Sequence, residues 1–380
     1  MKYQRLLASL GVLVAALVLA SAAAAQTAGV TVVASGLNNP RGLVLGPNGE
    51  LFVAEVGNGG AGPCAVASNG NTVCFGLTGA ITRISSGRGG FPFQDRVARG
   101  LPSLGLADGT GHAGPHDVTL GAGAIDIAMG LGGSPAFRSL FGPAAALLGH
   151  VVRLDLEGRP RSVGDFAAVE ALLNPDGAEI NSNPYSLVFV LGGYNVADAG
   201  ANAILRIEPD GTPRVAAFFP PRLFPAPFPP NPLIPTESVT DSIVIGPDGA
   251  NYYGELTGFP FPVGAARVHR RAPGPGQPVT VFATGFTNII DIAFGPDGSL
   301  YVLEFARNGL LAGPFSRLIR VAPNGTRTTV LDQGLIAASG LAIASNGDIY
   351  ISNFGTSPTN GQVLLLRAPN TGDVDSGDRD

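Results

Sequence analysis

Short runs in which apolar and polar positions alternate recur along the chain, separated by turns rich in Gly, Asn and Asp; this is the pattern of half-buried strands joined by hairpins. Four segments carry it most plainly: LGPNGELFVAEV (45–56), IGPDGANYYGEL (245–256), FGPDGSLYVLEF (294–305) and IASNGDIYISNF (343–354). In each, an apolar strand enters a Gly-Pro-Asp-Gly type turn and a second alternating strand leaves it. Gly and Asn or Asp supply the positive φ that such turns require, so the turn residues are structural. A third strand follows after a variable loop, at 80–85, 150–155, 203–208, 266–271, 317–322 and 362–367, and then a short turn and a fourth.

Weaker copies at 117–132 and 186–200 complete the series, although the second unit (GAGAIDIA) lacks the Asp-Gly turn. First strands then begin near positions 42, 117, 186, 242, 291 and 340. Six units of four short strands predict an all-β, six-bladed β-propeller. VTVVASGL (30–37) reads as a fourth strand without a blade of its own. Paired with the third strand of the last blade it closes the ring and removes an exposed edge. The predicted organisation is a signal peptide over 1–25, the propeller over 26–369, and an acidic disordered tail over 370–380.

The first 25 residues set Lys2 and Arg5 before a short apolar run that ends in small residues, the pattern of a secretory signal; cleavage there implies an extracellular or periplasmic protein. No later stretch is long and apolar enough to span a membrane. Lys2 is the only lysine, and loss of Lys2 and Arg5 takes the formal charge from -5 to -7, which argues against nucleic acid as a partner. Cys64 and Cys74, with no further cysteine and no nearby histidine to complete a zinc set, are expected to form a disulfide that orders one loop.

The turns from first to second strand and from third to fourth are short, whereas the connections on the other face are long: 57–79, 131–149, 257–265, 101–116, 170–185 and the Pro-rich 220–241. Long loops gathered on one face of a rigid scaffold are where binding is expected, though the Pro-rich loop also fits a stiff spacer. Second strands end on that face at Glu55, Asp198, Glu255, Glu304 and Asn353, with Met129 as the exception. Glu55, Asp198, Glu255 and Glu304 around one axis could hold Ca²⁺, or they could accept hydrogen bonds from loop amides and pair with arginines such as Arg41, Arg267 and Arg307. His112 and His116, in a Gly-rich loop, are open to a base or ligand role, with loop packing the plainer one. No nucleophile elbow, catalytic Cys-His context or phosphate-binding loop is present.

GPHDVTLGAGAIDIAMGLGG, NPYSLVFVLGGYNVADAGANAILRI, VIGPDGANYYGELTGFPFPVGAARVHRR and GFTNIIDIAFGPDGSLYVLEFA resemble the signature stretches of the ScyD/ScyE family of NHL-like β-propellers, over residues 30 to 368. The resemblance implies the propeller fold but no established reaction. Asp198, Gly200, Asn202, Glu255, Phe259, Phe261 and Arg267 fall in its most family-like stretches. Two functions compete: a non-catalytic, monomeric binding propeller that holds a protein or small molecule on the long-loop face, and a Ca²⁺-dependent lactonase, esterase or quinoprotein sugar dehydrogenase. The acidic ring favours the second; the lack of a catalytic set favours the first.

Overall fold

The computed structural model describes residues 29–86, 92–121, 123–190, 192–274 and 276–368. The expected signal peptide and acidic tail lie outside them. Six antiparallel sheets stand as blades around an axis. Each carries four main strands, A to D from the axis outward. In blade 4 these are Thr240–Ile245, Asn251–Glu255, Ala266–Arg271 and Val279–Phe286. The last blade, Gly340–Ile343, Ile349–Asn353 and Gly361–Leu366, takes its outer strand from the front of the chain. Val30–Leu37 pairs antiparallel with it, from Val30 opposite Leu366 to Leu37 opposite Gly361, as the sequence pattern predicts.

Local chemistry explains the blades. The Gly-Pro-Asp-Gly type turns place Gly249 and Gly298 at φ 74° and 75°, which a Cβ would strain. Strands B are mostly buried, Leu51–Glu55 along its whole length and the others at all but one or two positions, because neighbouring blades cover both of their faces. Ala250, Val268, Ile289 and Val302 show this packing between blades 4 and 5. Strands A begin about two residues earlier than the pattern suggests, at 40, 115, 184, 240 and 289, because most carry a register shift beside the axis, such as that between Pro115 and Asp117.

The long-loop face is more structured than expected. Segment 57–79 contains a small hairpin in which Cys64–Val66 pairs with the start of Thr72–Ser86, and the predicted Cys64–Cys74 disulfide joins the two strands. Most of 101–116 is strand, since Pro92–Gly105 runs on past the blade. Ahead of 170–185 a helix, Phe166–Leu173, starts at Asp165, whose carboxylate caps it by accepting from Ala168 N at 3.0 Å. The Pro-rich segment is neither an open loop nor an extended spacer: Arg222–Pro225 and Leu233–Thr236 form a two-stranded hairpin. Among the described residues no helix is long and apolar enough to cross a membrane.

Candidate functional site

The five residues at strand-B ends are all buried. Glu55 accepts from Asn38 N at 2.7 Å, from the Thr82 hydroxyl, and from Arg96 Nε and Nη2 at 2.8 and 2.6 Å. Glu304 accepts from Thr287 N at 2.8 Å and from Arg317 Nε at 2.8 Å. Asp198 accepts from Asn183 N and Ser182 Oγ at 2.6 Å and from Gly200 and Ala201 N at 3.1 Å. Asn353 Oδ1 accepts from Ile336 N at 2.9 Å. Glu255 lies 2.7 Å from His269 Nε2 and accepts from Arg222 Nη2 at 2.8 Å.

In four of the five, the side chain receives an amide 15 or 17 positions earlier, in the segment that leads into strand A. The ring is thus a repeated device that fixes the entry to each blade. Strand B is second from the axis, so a side chain at its end meets donors of its own blade. The expected Ca²⁺ set is corrected accordingly: Glu55, Asp198, Glu255 and Glu304 are not brought together, and among the described residues no group of three or more His, Cys, Asp or Glu could hold a metal ion. Their donors are already in place, so they do not fit a shared ion. The arginines involved are Arg96, Arg222 and Arg317; Arg41 and Arg307 instead donate to the carbonyls of Gly355 and Asp332, and Arg267 makes no ion pair among the described residues.

What does converge on the axis comes from strands A. A cavity there is lined by residues of all six blades, including Gly42, Asp117, Tyr185, Asp241, Asp291 and Ser339. Its free volume of about 10 Å³ admits a single water. Asp117 joins blade 2 to blade 3, accepting from Ser186 Oγ at 2.9 Å and Leu187 N at 3.2 Å. Asp291 joins blade 5 to blade 6, accepting from Leu341 N at 2.7 Å. Burial pushes the Asp117 carboxyl up to about 6. It lifts Asp241 and Asp291 well above the usual range too; Asp117 adds to the effect on Asp291, and Arg41 opposes it at Asp241. Asp241 Oδ1 is buried without a protein partner. This plug can hold a water or a proton but excludes a sugar or lactone ring.

The sequence reading passed over these axial groups. Their signal is positional: aligning GLVLGP, DVTLGA, SLVFVL, SIVIGP, DIAFGP and GLAIAS puts Gly42, Asp117, Ser186 and Asp291 in one column, with Tyr185, Asp241 and Ser339 one position before it. His116 is buried beside this plug, its Nδ1 3.2 Å from Pro184 O and its ring 4.8 Å from Tyr185. Burial, aided by the Arg41 charge, pushes it down to about 3, and burial brings His112 to about 4; both are neutral packing groups at physiological pH.

The remaining predicted residues lie on the long-loop face. Asn202 ties two loops together, donating to Asp176 at 3.1 Å and accepting from Val239 N at 2.9 Å. Phe259 and Phe261 meet edge to face at 6.1 Å in the loop after Glu255. The Pro-rich hairpin docks on that loop: Arg222 donates to Ala265 O at 2.7 Å and Thr236 Oγ1 to Phe259 O at 3.2 Å. Its outer surface is bare, with Leu223, Phe228 and Leu233 exposed by 62%, 54% and 62%, and Val263 is exposed by 67% in the loop beneath.

The chain matches no family model and no curated protein. Among solved structures it is similar to the PQQ-bound form of an aldose sugar dehydrogenase from Streptomyces coelicolor, at 15% identity and TM-score 0.51, over 88% of this chain and 97% of that one. It is also similar to a putative gluconolactonase (11%, TM-score 0.49, 90% and 96% covered) and to a streptogramin B lyase (11%, TM-score 0.48, 89% and 97% covered). At 15% identity the likeness to the first of these shows the fold alone and nothing of the reaction.

Proposed function

We propose that this chain is a secreted, ScyD/ScyE-like propeller that binds a protein partner through its long-loop face and catalyses no reaction there. One observation carries the reading: the hairpin between Arg222 and Glu237 contains no charged residue, is fixed to blade 4 at its base, and turns Leu223, Phe228 and Leu233 to solvent. Exposed apolar groups held on a rigid support are what a protein interface buries at its centre. The glutamates that an enzyme reading needs are engaged by arginines of their own blades or, for Glu255, of the hairpin, and the axis has room for one water.

The test is a comparison of the purified chain with a Phe228→Ser/Leu233→Ser variant as bait for proteins of its native extracellular fraction. The variant should keep the wild-type melting temperature and lose one retained partner. Equal retention by both baits, or calcium-dependent lactone hydrolysis or PQQ-dependent sugar oxidation by the wild-type chain, would sink the reading.

A further inference from the structure

Blades 2 and 3, the two weaker copies of the repeat, are neighbours in the ring. In both, strand A runs for seven residues, Pro115–Gly121 and Pro184–Val190. Their pairing with strand B runs as far as Gly121 opposite Ala124 and Val190 opposite Gly193, whereas in blades 4 and 5 it ends at Ile245 opposite Asn251 and Phe294 opposite Leu300, before the wider Gly-Pro-Asp-Gly turn. Between them, on the short-turn side, lies a cleft of about 330 Å³, large enough for a small organic molecule.

Its lining is chemically specific. Phe166 and Tyr194 are buried in its wall, while Phe189 is 37% exposed and meets Tyr194 edge to face at 5.5 Å, leaving ring surface open. Arg153 supplies the polar group. Its Nε and Nη2 donate to the buried Asp126 carboxylate at 2.7 and 2.9 Å, and Nη2 also to the Tyr194 hydroxyl at 2.6 Å, so the guanidinium is held in one orientation. Nη1 has no partner among the described residues. Glu208 on the rim faces two guanidiniums, Arg206 at 2.8 Å and Arg214 at 3.4 Å, so its one carboxylate is outnumbered. We infer that this cleft binds a small, flat aromatic molecule bearing an anionic oxygen, with its ring against Phe189 and its oxygen on Arg153. The site lies on the face opposite the docking hairpin and does not depend on it.

The probe is 8-anilinonaphthalene-1-sulfonate, an aromatic anion built on a flat naphthalene ring, titrated by fluorescence into the full chain. The expected result is saturable binding at one site, weakened about tenfold by Phe189→Ala, a loss of one aromatic contact, and unchanged by Phe228→Ser. Because Phe189 is partly exposed, its truncation leaves the fold intact, which a melting curve checks. Unsaturable binding, wild-type affinity in Phe189→Ala, or loss of binding in Phe228→Ser would each overturn the assignment. The last result would place the dye on the long-loop face and would leave the docking reading standing.

Discussion

The Arg222 guanidinium donates to the Glu255 carboxylate at 2.8 Å, tying the foot of the Pro-rich hairpin to the end of a blade strand. The same nitrogen reaches Ala265 O at 2.7 Å, so one side chain fixes the hairpin at two points. Removing it in Arg222→Ala should cost about 1–3 kcal/mol. It should also speed amide exchange selectively in 222–236. Exchange rates in that segment equal to wild type would show that the hairpin is held by other contacts.

Glu304 is buried while receiving both Thr287 N and Arg317, so Glu304→Ala leaves a buried donor and a cation without their acceptor. The expected loss is about 3 kcal/mol, read as a lower urea midpoint at constant m-value. A change below about 0.5 kcal/mol, the ordinary size of a surface substitution, would mean that the repeated amide contact does not stabilise the blade entry.

Acid should act on the molecule in two opposed ways. Asp117 and Asp198 have carboxyls raised by burial from 3.8 to about 6, so the folded state holds protons that the unfolded chain releases. Their contribution is present below that window and is lost as pH rises through it. His112 and His116 are depressed by burial from 6.5 to about 4 and about 3, so the unfolded chain takes up protons first and stability falls as pH drops below 6.5. Calorimetry across pH 4 to 7 separates them. Relative to wild type, Asp117→Asn should gain in melting temperature as pH rises, and His116→Gln as pH falls. Parallel curves for all three proteins would refute both assignments.

Closure of the ring depends on a glycine. A Cβ at Gly340 would lie 2.3 Å from Arg41 O and 3.0 Å from the Gly42 Cα, where blade 6 meets blade 1. Backbone cannot yield as a flexible side chain does, so Gly340→Ala should destabilise by about 1–3 kcal/mol. Gly325→Ala, at an exposed turn with open space around it but a φ of 85°, is the control for backbone strain alone. A loss below about 0.5 kcal/mol in Gly340→Ala would show that contact between the blades is not what matters at position 340.

The alternation of apolar residues and the Asp-Gly turns determined the number of blades, the strand at 266–271 and the closing strand at 30–37, because hairpin geometry and two-sided burial are local and repeat with the sequence. The Cys64–Cys74 bridge was legible for another reason, since two cysteines lie ten positions apart with no third to compete; the hairpin that carries it was not. Which carboxylates share a space was not. Glu304 and Asp291 both lie within blade 5, yet one is engaged by a loop amide and Arg317 while the other faces the axis. That outcome depends on the bulge in strand A and on the close approach of six blades, contacts between residues as far apart as Ser339 and Pro40, joined at 2.7 Å. The fold of the Pro-rich segment was decided the same way, by contacts of Arg222 with Glu255 and Ala265, 33 and 43 positions away in the chain.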